Sequence, residues 1–200
     1  MPTIHADGGG RAVAVDGALI VAVGADEELI AAHPAARVRR WPGLLTRALL
    51  NPYGPELLER AYHPDPREAD QLGTEPVVGP ALEALAPDEA RWGASARRGL
   101  QRMLAHGTVA VAGELTRASV LDAVRRSGLI LAGRAAPPGG TPSLDPYESG
   151  GPVVRTHELR VGGHARFAVF DVRDEAELAE KGAGTCVATV IDGRLLYRAR

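Results

Sequence analysis

The residues best suited to chemistry crowd one proline-rich segment: from Tyr53 to Glu75 the chain carries Glu56, Glu59, His63, Asp65, Asp70 and Glu75. A histidine among carboxylates is the raw material of general acid–base catalysis, because imidazole exchanges a proton near neutral pH and a carboxylate can orient it. On that view His63 pairs with one carboxylate, Glu56 or Asp65, at a pocket mouth, and Tyr53 contributes a hydroxyl. The competing view is a solvated loop, stiffened by prolines at 52, 55, 64, 66, 76, 80 and 87, that shields apolar surface. The second is favoured.

The other chemical residue types are sparser. Of the six histidines, His33 and His106 stand at the C-terminal ends of predicted helices, where an imidazolium complements the dipole. His5, His63, His157 and His164 show no ligand spacing, so neither a metal nor another cofactor is expected. The single cysteine, Cys186, excludes an intramolecular disulfide and a cysteine-built zinc site. It lies in the alternating apolar run Thr185 to Ile191 and reads as a small buried hydrophobe. Gly8-Gly9-Gly10 lacks the following Lys-Ser/Thr of a phosphate loop and reads as a turn.

Composition bounds the remaining classes. A chain of 200 residues can bury a real core. A net charge of -2 with dispersed arginines, Lys181 being the only lysine, argues against a general nucleic-acid binder. There is no basic segment followed by an apolar run at the N-terminus, and no stretch nears the ~18 apolar residues of a membrane span. A soluble, cytoplasmic protein is expected.

The elements that must position these residues fall into three blocks. Thr3–Ala6, Arg11–Val15, Ala18–Val23 and Ala36–Trp41 read as short strands, with a hairpin signal at Asp16-Gly17 and a short helix from Gly24 to His33. In the middle, a helix near Glu56 to Tyr62 is followed by the clearest one in the chain. There Trp92, Ala96, Leu100, Met103 and Leu104 recur at helical spacing between Pro87-Asp88-Glu89 and His106-Gly107. The strands Thr108–Ala112 and Leu129–Ala132 flank a second helix from Thr116 to Arg126, and Ala135 to Gly151 reads as a linker. Strands return at Val153–Leu159, Ala165–Phe170, Thr185–Ile191 and Arg194–Tyr197. The fold class is therefore α+β: residues 1–50 and 153–200 form one β domain, and residues 51–152 a reduced α/β segment.

Several segments resemble the amidohydrolase superfamily, in particular its imidazolonepropionase-like and aminofutalosine-deaminase-like branches. Asp16 to Gly24 resembles the opening hairpin, and Trp41-Pro-Gly-Leu-Leu-Thr46 the approach to the first barrel strand. Glu89 to Val111, with Arg98-Gly99 and His106-Gly107, resembles an early barrel helix and strand. Val161 to Asp171 and Val187 to Arg198 resemble the closing strands. The resemblance implies a composite β-sandwich from both termini with a remnant of a β/α barrel inserted. It also exposes departures. Where the family carries Asn-x-His-x-His, this chain has Asn51-Pro-Tyr-Gly-Pro55, so Tyr53 and Pro55 hold the two ligand positions. About five further strand–helix units, with two more histidines and an aspartate, are missing from the roughly twenty residues between Ala132 and Val153. Arg166 stands where the family usually has Asp.

These departures imply an amidohydrolase-like protein without the catalytic metal. Its expected role is accessory, binding a partner protein, a second copy of itself or a small metabolite, with a link to nucleoside or futalosine-type menaquinone metabolism conceivable. The alternative is a carbon–nitrogen hydrolase or deaminase, metal-free or completed by another chain. A homodimer or protein complex is expected to cover the stripe Trp92, Leu100, Met103 and Leu104.

Overall fold

The computed structural model describes residues 1–199. The chain opens with β1 (Thr3–Ala6), β2 (Arg11–Asp16), β3 (Leu19–Ala25), α1 (Asp26–Ala32) and β4 (Arg37–Arg40), which form a sheet in the order β3-β2-β1-β4. Alternation sorts the side chains of β2. Ala12 and Ala14 pack with Leu29 of α1, while Val13 and Val15 turn to the opposite face.

The apolar run after Pro42-Gly43 does not make one strand. β5 (Leu44–Arg47) and β6 (Leu49–Asn51) are parted by the buried Ala48 and enter different sheets. The middle segment then folds as α2 (Gly54–Leu58), β7 (Ala61–Tyr62), α3 (Ala69–Leu72), β8 (Val77–Val78), α4 (Gly79–Leu85), α5 (Glu89–Leu104), β9 (Thr108–Ala112), α6 (Ala118–Ser127) and β10 (Ile130–Ala132). β11 (Val154–Arg155), β12 (Phe167–Phe170), α7 (Glu175–Lys181), β13 (Cys186–Ile191) and β14 (Arg194–Arg198) complete the chain.

The second sheet, β14-β13-β12-β5, is antiparallel and joins residues 44–47 to the C-terminal strands. The third, β10-β9-β6-β11, has β6, β9 and β10 parallel, with α5 and α6 in the crossovers. No barrel closes among the described residues, and the architecture is a mixed α+β arrangement of small sheets. The first two sheets share a core of Val13, Val15, Ile20, Trp41, Leu45, Phe167, Val169 and Val190. Their seam is stitched by main-chain bonds from Ile20 N to Gly163 O, Gly162 N to Ile20 O and Ala165 N to Ala18 O, each 2.8 Å.

Two expectations need correction. The segment 51–87 is not a plain solvated loop: Tyr53, Leu57, Leu58, Ala61, Tyr62 and His63 are buried in it. Its prolines start helices rather than prevent them, for Pro55 and Pro80 occupy the first turns of α2 and α4, where a missing N–H costs nothing. Likewise, Trp92, Leu100, Met103 and Leu104 are all buried within the chain, against α6, α2 and β9, so this stripe offers no surface for association. Among the described residues, no helix is long and apolar enough to cross a membrane.

His5 is sealed between the first two sheets. Its ring lies 6.0 Å from that of Trp41, nearly parallel, and 5.0 Å from Phe167, edge-on. Trp41 Nε1 donates to His5 Nδ1 at 3.2 Å, which places the imidazole proton on Nε2. Burial, with the Arg39 charge adding to it, lowers the His5 pKa to about 4.

Because the folded value lies below the unfolded one near 6.5, the unfolded chain takes up the proton first as pH falls. Stability should therefore be unaffected by His5 above pH ~6.5 and should drop by on the order of 3 kcal/mol between there and pH ~4. Urea unfolding across that range measures the slope, and His5→Gln, which keeps an acceptor without titrating, should flatten it. Phe167→Ala should cost about 3–5 kcal/mol at pH 7 with an unchanged denaturant slope.

Candidate functional site

A cleft of about 770 Å³ lies between α5 and the segment from His63 to Thr74. Arg97, Arg98 and Arg102 line it from α5, and His63 and Asp65 face them from the other wall. Their placement begins with the helix. Asp88 caps α5 by accepting from Arg91 N at 2.8 Å, and the turns that follow bury Trp92, Ala96, Leu100 and Met103 on one side. The arginines are left at the margin of that side.

His63 is only 1% exposed and is fixed at four points. Its N–H donates to Ser95 Oγ at 2.8 Å, its carbonyl accepts from Arg98 Nε at 2.8 Å, and its Nε2 lies 2.8 Å from Leu57 O. Since a carbonyl only accepts, Nε2 carries the proton and Nδ1 is an acceptor. Nδ1 has no partner in the protein. The fourth point is contact with Gly99, where a Cβ would come within 2.7 Å of Nε2. Burial lowers the His63 pKa; the Leu57 carbonyl opposes this, and the charges of Arg102 and Arg98 reinforce it. The ring is neutral at physiological pH.

No carboxylate bonds to the imidazole. Asp65 caps the 3-10 turn Pro66–Glu68, accepting from Arg67 N at 3.0 Å, and its other oxygen faces Arg98 Nη1 at 3.3 Å. The arrangement can bind an anion through guanidinium groups.

Tyr53 and Glu56 lie elsewhere, at the carboxyl ends of the parallel strands β6, β9 and β10, where ligands commonly sit in β/α folds. Here that place is filled by the chain itself. Arg134 bonds Glu56 in a fork at 2.7 and 2.9 Å and donates to Pro52 O at 2.6 Å. Tyr53 Oη donates to Gly139 O, and Asn51 Nδ2 to Ser143 O at 2.8 Å. Burial raises the Glu56 pKa, but the Arg134 hydrogen bonds outweigh it and hold the carboxyl below the usual range.

The divalent metal implied by the family resemblance does not fit this place. Tyr53 is committed to Gly139 O, and the Pro55 ring packs on Gly113, where a Cβ would come within 2.4 Å of Pro55 Cδ. Among the described residues, no three His, Cys, Asp or Glu side chains are grouped to hold a metal ion.

The remaining sequence candidates are dispersed. Glu59 accepts from Thr116 N and Arg117 N at the start of α6. Glu75 is exposed, 3.8 Å from Arg102. His106 bonds the Arg102 carbonyl through Nδ1 at 2.8 Å, and His164 pairs with Asp192 at 2.9 Å. Cys186 is buried, and burial pushes its thiol up to about 11. Sequence reasoning missed Arg97, Arg102 and Arg134. The first two were legible as charges flanking a helical stripe; the third became recognisable only once the fold placed it beside Glu56.

No family model matches the chain, and no curated protein does. Solved structures do. The ochratoxinase of A. niger aligns at 15% identity with a TM-score of 0.42, covering 68% of this chain and 31% of the other. Guanine deaminase from Bradyrhizobium japonicum aligns at 16% identity and TM-score 0.40, covering 62% and 27%. Helicobacter pylori aminofutalosine deaminase aligns at 14% and 0.41, covering 72% and 36%. The chain thus spans about a third of the length of these structures.

Arg134→Ala should leave Glu56 without its partner and cost about 1–3 kcal/mol. Hydrogen exchange should show the amides of residues 134–151 exchanging faster while those of β9 and β12 keep their relative protection.

Proposed function

We propose that the chain is an amidohydrolase-like binding protein with no hydrolytic turnover of its own, which holds a small anionic metabolite in the cleft between α3 and α5. Residues 1–50 with 153–200 form its composite β scaffold, and residues 51–152 carry the binding element. The β5–β12 ladder and the seam at residues 162–165 support that division.

The observation that carries the binding role is an uncompensated charge in this cleft. Three guanidinium groups face one carboxylate, Asp65, at ion-pair distance among the lining residues. Arg97 has no carboxylate within 4 Å among the described residues, and Arg102 meets only the exposed Glu75 at 3.8 Å. The cavity volume suits a metabolite rather than a bare ion. The non-catalytic part rests on the committed states of Tyr53 and Asp65 and on an imidazole that no carboxylate orients.

Calorimetry with adenosine 5′-monophosphate, succinate and uncharged adenosine tests the reading. The two anions should bind and adenosine should not, and Arg97→Glu with Arg102→Glu should weaken binding at least about tenfold. Failure of both anions to bind would overturn the binding role. Chelator-sensitive ammonia release from an aminofutalosine-like nucleoside would overturn the non-catalytic one.

A further inference from the structure

A second concentration of positive charge lies on the β side of the molecule, remote in sequence from the first cleft. Arg37 and Arg39 project from alternate positions of the edge strand β4, and Arg198 comes from β14. Together with Val38, Arg40, Trp41 and Leu195 they line a small concavity of about 290 Å³. The Arg198 guanidinium stands 5.8 Å from the centroid of the Trp41 ring, which forms part of the wall.

The charges here are unbalanced. Arg40, the next residue on β4, has a carboxylate partner in Asp26 at 2.8 Å. Among the described residues no carboxylate lies within 4 Å of Arg37, Arg39 or Arg198. Surface arginines normally disperse toward solvent or find a counter-ion, and like charges brought together raise the energy of the folded state. Burial and the charges of Arg37 and Arg198 lower the pKa of Arg39, which registers that repulsion.

We propose that Arg37, Arg39 and Arg198 form a receptor for a compact dianion of the phosphate class, either inorganic phosphate or the phosphate group of a small monoester. The cup, at about 290 Å³, has room for a phosphate group together with the small organic part of a monoester. Guanidinium forks match the oxygens of a tetrahedral anion, and the dianion supplies a counter-charge that no carboxylate among the described residues provides at ion-pair distance. Arg37 and Arg39 belong to the first sheet and Arg198 to the second, so the bound anion joins the open edges of the two sheets. The site is independent of the cleft between α3 and α5.

The test separates this role from that of charges guarding an exposed strand edge against aggregation. Thermal unfolding and calorimetry are run on the full chain carrying Arg97→Glu and Arg102→Glu, so that the first cleft is disabled. Inorganic phosphate and glycerol 3-phosphate are compared with chloride at equal ionic strength. Phosphate should raise the midpoint above chloride, and the glycerol 3-phosphate arm shows whether a monoester is accepted equally well. Arg39→Gln should raise the midpoint in chloride, because a repulsion is removed, and weaken phosphate binding at least about tenfold. Arg126→Gln, at an exposed arginine of α6 outside the cup, should leave phosphate binding intact. Should the background variant misfold, the side-chain Nε–H resonances of Arg39 and Arg198 in the wild-type chain report phosphate at this cup directly. Equal midpoints in phosphate and chloride, unmoved Arg39 and Arg198 Nε–H resonances, or an Arg39→Gln variant that aggregates while binding phosphate normally would overturn the proposal.

Discussion

Residues 44–51 satisfy two ladders that belong to different sheets, and the rest of the molecule is arranged around that demand. Leu44 to Arg47 pair with β12 and so attach the N-terminal half to the C-terminal strands. Leu49 to Asn51 pair with β9 on one side and β11 on the other. Ala48 between them is fully buried, and its carbonyl accepts from both the N–H and the hydroxyl of Thr156, at 2.8 and 3.0 Å. A larger side chain at this joint would have to displace packed atoms, and a slip of one residue would turn Leu45 and Leu49 out of the core. Arg155 braces the same joint from outside by donating to Thr46 Oγ1 and bonding Glu175.

Most residues with chemical potential are spent on holding this framework. Glu59 and Asp65 satisfy helix and turn N-termini, Glu56 is matched by Arg134, Tyr53 reaches a main-chain carbonyl, and His5 accepts from Trp41 deep between two sheets. What is left over is informative because it is small. Arginines without carboxylates, the buried Thr108 hydroxyl and one buried imidazole nitrogen without a donor are the groups that the fold alone does not use.

The sequence exposes those elements whose signals are local. The strands β1 to β3, the hairpin at Asp192-Gly193 and the helix α5 follow from alternation, turn chemistry and helical spacing, and each forms within a residue or two of its expected bounds. Helix α7 carried a readable signal as well, with Asp174 as cap, acidic residues in its first turn and Gly182 after its end. The division of residues 44–51 left no local trace, because Leu44 to Leu50 is one apolar run whose two halves differ only in which distant strands they meet. The same holds for the candidate site. Residues 53 to 65 look like one cluster in sequence, yet α2 and β7 carry His63 and Asp65 to one cleft and leave Tyr53 and Glu56 beside a different loop. The arginines that give the cleft its charge could be counted in advance but not aimed.

The loop that lies over the carboxyl ends of the parallel strands is anchored in an unusual way. The bonds it receives from Tyr53 and Asn51 end on its main-chain carbonyls, at Gly139 and Ser143, and not on its side chains. A carbonyl is present whatever residue bears it, so these anchors read the path of the chain and are blind to its spelling. Side chains hold the loop only at a few points: Gly140 has positive φ and a Cβ there would meet Ser149 O, Asp145 accepts from Gly184 N at 3.1 Å, and Tyr147 accepts from Arg155 at 2.7 Å. Between those points the cover can change its sequence at constant length while its main-chain anchors persist.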